Sequence, residues 1–226
     1  MTGDVVDFPD IAEIPIFPLP NTVLFPRTFL PLHIFEPRYK QMVTDVLGGS
    51  RQIGMALLQP GWEDNPQGNP EVFGTGGTGL ITEYKNLEEG KYNILLNGCY
   101  RFRIMEFTQE VPYRIARVEL LKEIIPSGRE ANEIANELAL SIDKLNAEKV
   151  FSEVNLNLSD KLDFTTLVNS ICSSLNLSVY DKQQLLEIDN LKTRAKTILA
   201  VLQQHISRGR FVSKFDHLKP DDPSVN

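Results

Sequence analysis

With 226 residues, 42% of them apolar and 23% charged, the chain has the balance of a packed globular protein and lies far from disordered or fibrous composition. Thirty acidic against twenty-three basic residues give a net charge of -7, a field that repels phosphate backbones and anionic lipid alike, so neither nucleic acid nor a membrane is an expected partner. No apolar run reaches the roughly eighteen residues that span a bilayer, and Met1 to Asp10 lacks the basic and apolar regions of a signal peptide, so the expected location is the cytoplasm.

From Ile14 to about Glu123, short apolar runs are broken by Gly, Pro and Asn, the punctuation of strands and turns. One helix is predicted inside this half. It starts at Glu36-Pro37, carries Tyr39, Met42, Val43 and Val46 at helical spacing, and ends at Gly48-Gly49. Gln52 to Leu58 reads as a strand, and Leu80 to Tyr84 with Tyr92 to Leu96 reads as a hairpin around a Glu-Glu-Gly turn. In Tyr100 to Ile104, Tyr100, Phe102 and Ile104 fall on one face and Arg101 and Arg103 on the other. Ala116, Val118 and Leu120 alternate in the same way with Arg117 and Glu119. Five or six short strands over about a hundred residues predict a small barrel or a strongly curled sheet.

From about Gly128 the period changes from two to 3.6, and the second half is predicted helical. Ile134, Leu138, Ile142 and Leu145 form one stripe, and Phe164, Leu167, Val168, Ile171, Cys172 and Leu175 another. Ser178 with Asp181 has the spacing of a capping box ahead of Leu185 and Leu186. The last stripe runs through Leu191, Ala195, Ile198, Leu202 and Ile206, with Gly209 as its expected end. The chain therefore divides into a β half over 1–124, a helical bundle over 125–212 and a flexible tail over 213–226.

Three blocks point to a family. IPIFPLPNTVLFPRTFLPLHIFEPRYKQMV, from Ile14 to Val43, resembles the opening of Lon protease N-terminal domains, above all the stand-alone ones. GKYNILLNGCYRFRI, from Gly90 to Ile104, followed by Pro112-Tyr113, is similar to the family's central hairpin, with Gly98, Arg101 and Phe102 matching its Gly-x-x-Arg-Phe signature. DKQQLLEIDNLKTRAKTIL, from Asp181 to Leu199, resembles the Gln-x-Leu-Leu-Glu helix near the domain's end. The resemblance implies an α+β fold, a PUA-like β-barrel followed by a helical bundle, that captures unfolded or hydrophobic protein segments. Full-length Lon continues into an ATPase and a Ser-Lys peptidase. The expectation here is a free-standing, non-enzymatic domain whose clients would be degraded by a separate protease or handed to a chaperone.

The residues themselves mark no catalyst. Gly74, Gly76 and Gly79 spell G-x-G-x-x-G, but the residues that follow read as strand, so a glycine-rich turn or bulge is expected in place of a dinucleotide loop. Neither a phosphate-cradling G-x-x-x-x-G-K-[ST] nor a G-x-S-x-G elbow is present, and no cofactor is expected. His33, His205 and His217 lie in unrelated settings without ligand spacing, and the carboxylates single out no acid/base pair, so no metal or catalytic residue is assigned. Cys99 and Cys172 read as reduced, buried thiols. Arg101 and Arg103, Arg114 and Arg117, and Arg208, Arg210 and Lys214 read as solvated faces or structural ion pairs.

Glu36, Pro37, Arg38 and Tyr39 form the strongest polar cluster of the family motif. Glu36 would favour the positive end of the helix and Arg38 would pair with a carboxylate of the β half; direct ligand contact is the alternative. Trp62, the sole tryptophan, sits in a long Gly- and Pro-containing segment from Gln59 to Gly79, either packed down or standing as an anchor for a bound chain. Phe25, Phe29, Trp62 and Phe73 are the candidate polypeptide contacts, in a groove expected near the junction of the two halves. RNA binding, a small-molecule site and an adaptor role toward a separate protease are the competing readings.

Overall fold

A computed structural model describes residues 10–64, 68–147 and 162–215. The expected tail from residue 216, with His217, and the side chains of His205, Arg208, Arg210 and Lys214 lie outside the described residues. In chain order the elements are β1 (Ile11–Leu19), β2 (Phe29–Ile34), α1 (Pro37–Leu47), β3 (Gln52–Leu57), β4 (Thr75–Asn86), β5 (Tyr92–Gln109), β6 (Arg114–Leu121), α2 (Gly128–Ala147), α3 (Phe164–Ser174), α4 (Val179–Glu187) and α5 (Leu191–Phe215). They form two compact units, Met1–Ile124 with Asn176–Asp189, and Ile125–Leu175 with Asn190–Asn226. Expected as one helical block from residue 125, the later chain is interleaved instead, because Asn176–Asp189, which contains α4, packs with the strands.

The strands form one mixed sheet in the order β2-β5-β4-β3-β1-β6, and β6 pairs back onto β5. Strands β1, β3, β4, β5 and β6 thus pair in a closed circuit, with β2 added outside it on the first half of β5. Only β1 and β3 run parallel among these pairs, and the crossover such a pair requires is supplied by β2 and α1. Side chains on both faces of β3 are buried, which is why Gln52 to Leu57 reads as an unbroken apolar run.

The strands were expected short, yet β4 and β5 run for 12 and 18 residues. Tyr100 to Ile104 is a stretch of β5, with no separate strand there. Register shifts between Gly77 and Gly79, Ile81 and Glu83, Ile104 and Glu106, and Phe107 and Gln109 bend the strands while pairing continues. Gly76 and Gly79 lie within β4, so the bulge half of the glycine-rich expectation holds and the turn half does not. A different contact dictates glycine here. A Cβ on Gly77 would stand 2.0 Å from the Leu24 carbonyl oxygen, and one on Gly98 2.1 Å from that of Phe25, because the Leu24-Phe25 segment crosses directly over β4 and β5.

Helix α1 buries the four residues its spacing singled out, Tyr39, Met42, Val43 and Val46. Gly48 ends it in a right-handed conformation (φ -76°), and the left-handed position falls on Arg51 (φ 56°). The core beneath it gathers Phe17, Leu24, Ile34, Ile53 and Leu96, while a second cluster holds Ile14, Ile16, Phe102, Ala116 and Val118. Helix α4 starts at a Ser178 cap, whose Oγ accepts from the Asp181 backbone N–H at 3.1 Å, as the capping-box spacing predicts.

In the second unit, α2, α3 and α5 pack against one another. The stripes read from the sequence are buried, Phe164 alone being only half-buried: Ile134, Leu138, Ile142 and Leu145 on α2; Leu167, Val168, Ile171 and Cys172 on α3, with Leu175 at its end; Leu191, Ala195, Ile198, Leu202 and Ile206 on α5. Asn169 on α3 accepts from the buried Arg194 of α5 at 2.5 Å. Helix α5 runs through Gly209 to Phe215, past its expected end, since a single glycine weakens a helix by only about 1 kcal/mol. No helix among the described residues is long and apolar enough to cross a membrane.

Candidate functional site

The first unit contains a cavity of about 240 Å³ where the end of β1, the start of α1, the segment around Trp62 and the β5–β6 turn converge. Its wall is mixed. Pro18, Leu19, Pro20, Leu58, Trp62 and Pro112 supply apolar surface, and Glu36, Arg38, Tyr39, Asn69, Glu110, Tyr113 and Arg114 supply polar groups. A neighbouring cavity of about 270 Å³ shares Asn69, Pro70, Glu110 and Arg114.

The polar groups are held in place by named bonds. Arg38 Nε donates to a Glu36 oxygen at 3.1 Å, its Nη2 lies 3.1 Å from the same oxygen as an ion pair, and its guanidinium lies 4.7 Å from the centroid of the Tyr39 ring. The Tyr39 ring packs on Phe17 with centroids 4.2 Å apart. The carboxylate that Arg38 finds is thus that of the residue preceding Pro37, not one on the strands, and Glu36 makes no side-chain cap to the helix. Tyr113 donates to Asp45 Oδ2 at 2.8 Å; burial and then that carboxylate push its phenol up to about 12. Burial also raises the Tyr39 phenol, against the opposing pull of the Arg38 charge.

Arg114 departs from the sequence reading, which made it a solvated or ion-paired side chain. It is 6% exposed, donates to Pro70 O at 2.8 Å and Asn69 Oδ1 at 3.3 Å, and lies 5.3 Å from the Phe107 ring centroid. Burial lowers its pKa. Alternation could have revealed this, because Arg114 shares its face of β6 with the buried Ala116 and Val118, opposite Arg117. Arg117 and Arg103 are exposed and pair with Glu106 at 3.5 Å and Glu119 at 2.9 Å. Asn69 and Glu110 carry no signal in the sequence, and Tyr113 enters it only through the Pro112-Tyr113 resemblance, since a cavity wall assembled from four segments leaves no local spacing signal.

The four candidate polypeptide contacts are not brought together. Phe25 is fully buried under the strand crossover and presents no surface, a correction that follows from the glycine-floored packing beneath it. Phe29 stands 62% exposed on β2, with Phe35 just beyond that strand 58% exposed. Trp62 is half-buried in a short 3-10 turn and lines the cavity. Phe73 is half-buried, 6.2 Å from the Tyr180 ring of α4.

The Gly-x-x-Arg-Phe residues have a structural setting. Gly98 makes room for Phe25, Phe102 is buried in the strand core, and Arg101 is fully buried. Arg101 was placed with Arg103 on an outer strand face, but α4 covers that position: its Nη1 donates to Leu186 O at 3.0 Å and Asp189 Oδ1 at 2.9 Å, and its Nε lies 3.7 Å from Glu123 Oε1. Among the described residues, no group of His, Cys, Asp or Glu side chains is arranged to hold a metal ion, and His33 Nδ1 lies 2.7 Å from Asn93 Oδ1. Cys99 is half-buried and Cys172 buried, and neither forms a disulfide among the described residues.

Solved Lon N-terminal domains share this fold. The structure superposes on the N-terminal domain of Mycobacterium avium complex Lon protease with a TM-score of 0.61 at 16% identity, covering 87% of this chain and 98% of that one. It superposes on a Lon N-terminal domain protein from Xanthomonas campestris with a TM-score of 0.56 at 21% identity, covering 84% and 98%. The chain belongs to the ATP-dependent protease La (LON) substrate-binding domain family, whose model matches residues 13–204. Among full-length relatives, it is 30% identical over 209 residues to the Lon protease of Cytophaga hutchinsonii, covering 90% of this chain and 25% of that protein. It is 29% identical over 202 residues to that of Flavobacterium johnsoniae, covering 87% and 24%. The chain spans about a quarter of the length of these curated relatives and matches their substrate-binding region.

Proposed function

We propose that this chain is a non-catalytic polypeptide-binding module, a PUA-like barrel with an appended helical bundle, that takes hydrophobic or unfolded segments of other proteins. Family membership supplies the class of role. The observation that carries the specific reading is the edge strand β2. It pairs with β5 on one side, has no other strand partner among the described residues, and is flanked by the exposed Phe29 and Phe35. An extended client segment gains backbone hydrogen bonds by adding beside such an edge and apolar burial from the exposed rings. On this reading, peptide-bond cleavage belongs to another domain or another polypeptide, and the site of action is the cytoplasm.

Titration of a permanently unfolded protein, reduced and alkylated, against wild type and Phe29→Ser tests the proposal. Phe29→Ser is expected to leave stability within about 0.5 kcal/mol of wild type, as exposed positions do. It should weaken client binding about tenfold, the loss of one well-buried apolar anchor. Equal affinities would remove β2 from the binding surface, and salt-dependent RNA retention on a filter, with no client binding, would replace the proposal by its nucleic-acid rival.

A further inference from the structure

Arg114 is a buried cation whose hydrogen bonds go to neutral oxygens, the Asn69 amide and the Pro70 carbonyl. No carboxylate among the described residues lies within ion-pairing distance of it. The Glu110 carboxylate acts on Arg114 from beyond that distance, and accepts from Asn69 Nδ2 at 2.9 Å. A buried charge with no counter-charge in direct contact is costly, and the cavity leaves room for a ligand to supply one. The neighbouring groups point the same way. Arg38 meets one Glu36 oxygen through Nε and Nη2, and among the described residues neither its Nη1 nor the Tyr39 hydroxyl has a hydrogen-bond partner. All three side chains line the same cavity.

We infer that this cavity is a carboxylate pocket in which Arg114, with Arg38 and Tyr39 beside it, receives the carboxylate of a peptide whose apolar side chain packs on Trp62, Pro20 and Leu58. The inference rests on the polypeptide-binding reading and names the group recognised. A guanidinium fork matches a carboxylate in plane and spacing. Size selects a small occupant, since about 240 Å³ falls short of the roughly 300–1,000 Å³ that drug-sized ligands fill. Charge selects a singly charged one, because Glu36 and Glu110 also line the wall and would repel the second charge of a phosphate. The carboxylate can come from a chain end or from an acidic side chain.

Trp62, the chain's sole tryptophan, lines the cavity and provides the readout. Its fluorescence is titrated with one apolar hexapeptide made in three forms: free acid, C-terminal amide, and amide with a single internal aspartate. At least one carboxylate-bearing form is expected to bind about tenfold tighter than the plain amide, and the form that does so identifies the source of the carboxylate. Arg114→Gln should erase that advantage, bringing the carboxylate-bearing forms down to the level of the plain amide, and Arg114→Lys should keep part of it. If Arg114→Gln fails to fold, the three-form comparison on wild type still decides, and Arg38→Gln, at a part-exposed position, should lower the advantage about threefold. Equal binding of all three forms overturns the pocket while the polypeptide reading stands. If no form binds and unfolded protein does not bind either, both fall together.

Discussion

Arg101 and Arg114 are two arginines buried in the same strand unit, and they are matched in opposite ways. Around Arg101 the fold closes: Asp189, Glu123 and the Leu186 carbonyl surround the guanidinium, tying α4 to β5, and Gln183 of α4 adds a bond to Thr75 O at 2.9 Å. Around Arg114 the fold stays open. The guanidinium is held by an amide and a carbonyl, lines two cavities and has no ion-pair partner among the described residues, Glu110 acting on it only from farther off. The first arrangement spends a buried charge on joining elements, and the second keeps one facing empty space. Burial alone therefore does not separate a structural arginine from a candidate site. The counter-charge does.

The largest expected effect lies on the closed side. Arg101→Met removes the buried cation that faces Glu123 and Asp189 and releases α4, and should cost about 3 kcal/mol, read as a lower urea midpoint at unchanged slope. A loss under about 1 kcal/mol would break the contrast. Tyr113→Phe comes next, removing the bond to Asp45 at a cost of about 1 kcal/mol near neutral pH. Because the Tyr113 phenol is raised from 10.0 to about 12 in the folded chain, its stabilising contribution is complete below pH 10 and is lost as pH rises through about 12. Denaturation curves collected from pH 9 to 12 should show wild type losing its margin over Tyr113→Phe across that window, and parallel curves would refute the assignment. The smallest effect is on the open side. Arg114→Met should change stability by less than about 1 kcal/mol, since the lost hydrogen bonds are offset by no longer burying a cation that has no ion-pair partner among the described residues. A cost like that of Arg101→Met would make Arg114 a brace.

Most elements were legible because their evidence is local. The apolar residues of α1 through α5 recur at 3.6, and the positions this picks out are the ones found buried. Ser178 caps α4 through a three-residue spacing that needs no tertiary partner. The burial of Arg114 was also written locally, in its parity with Ala116 and Val118. The burial of Arg101 was not, because its cover arrives from a helix 85 residues later. Phe25 looked like a surface aromatic for a similar reason: the glycines that let its backbone lie flat on the sheet are more than fifty residues on, at Gly77 and Gly98.

By itself the sequence determined the family, the change from strands to helices, the buried stripes and the start of α1, since each depends on residues close together in the chain or on motifs long enough to be specific. Only tertiary structure decided that the strands close into a circuit, that α4 joins them, and that Trp62, Arg38, Tyr39, Tyr113 and Arg114 share one cavity. Spacing records what a side chain's neighbours along the chain require of it. Which distant charges and carbonyls meet it is set when the folded backbone excludes water, and that pairing separates Arg101 from Arg114.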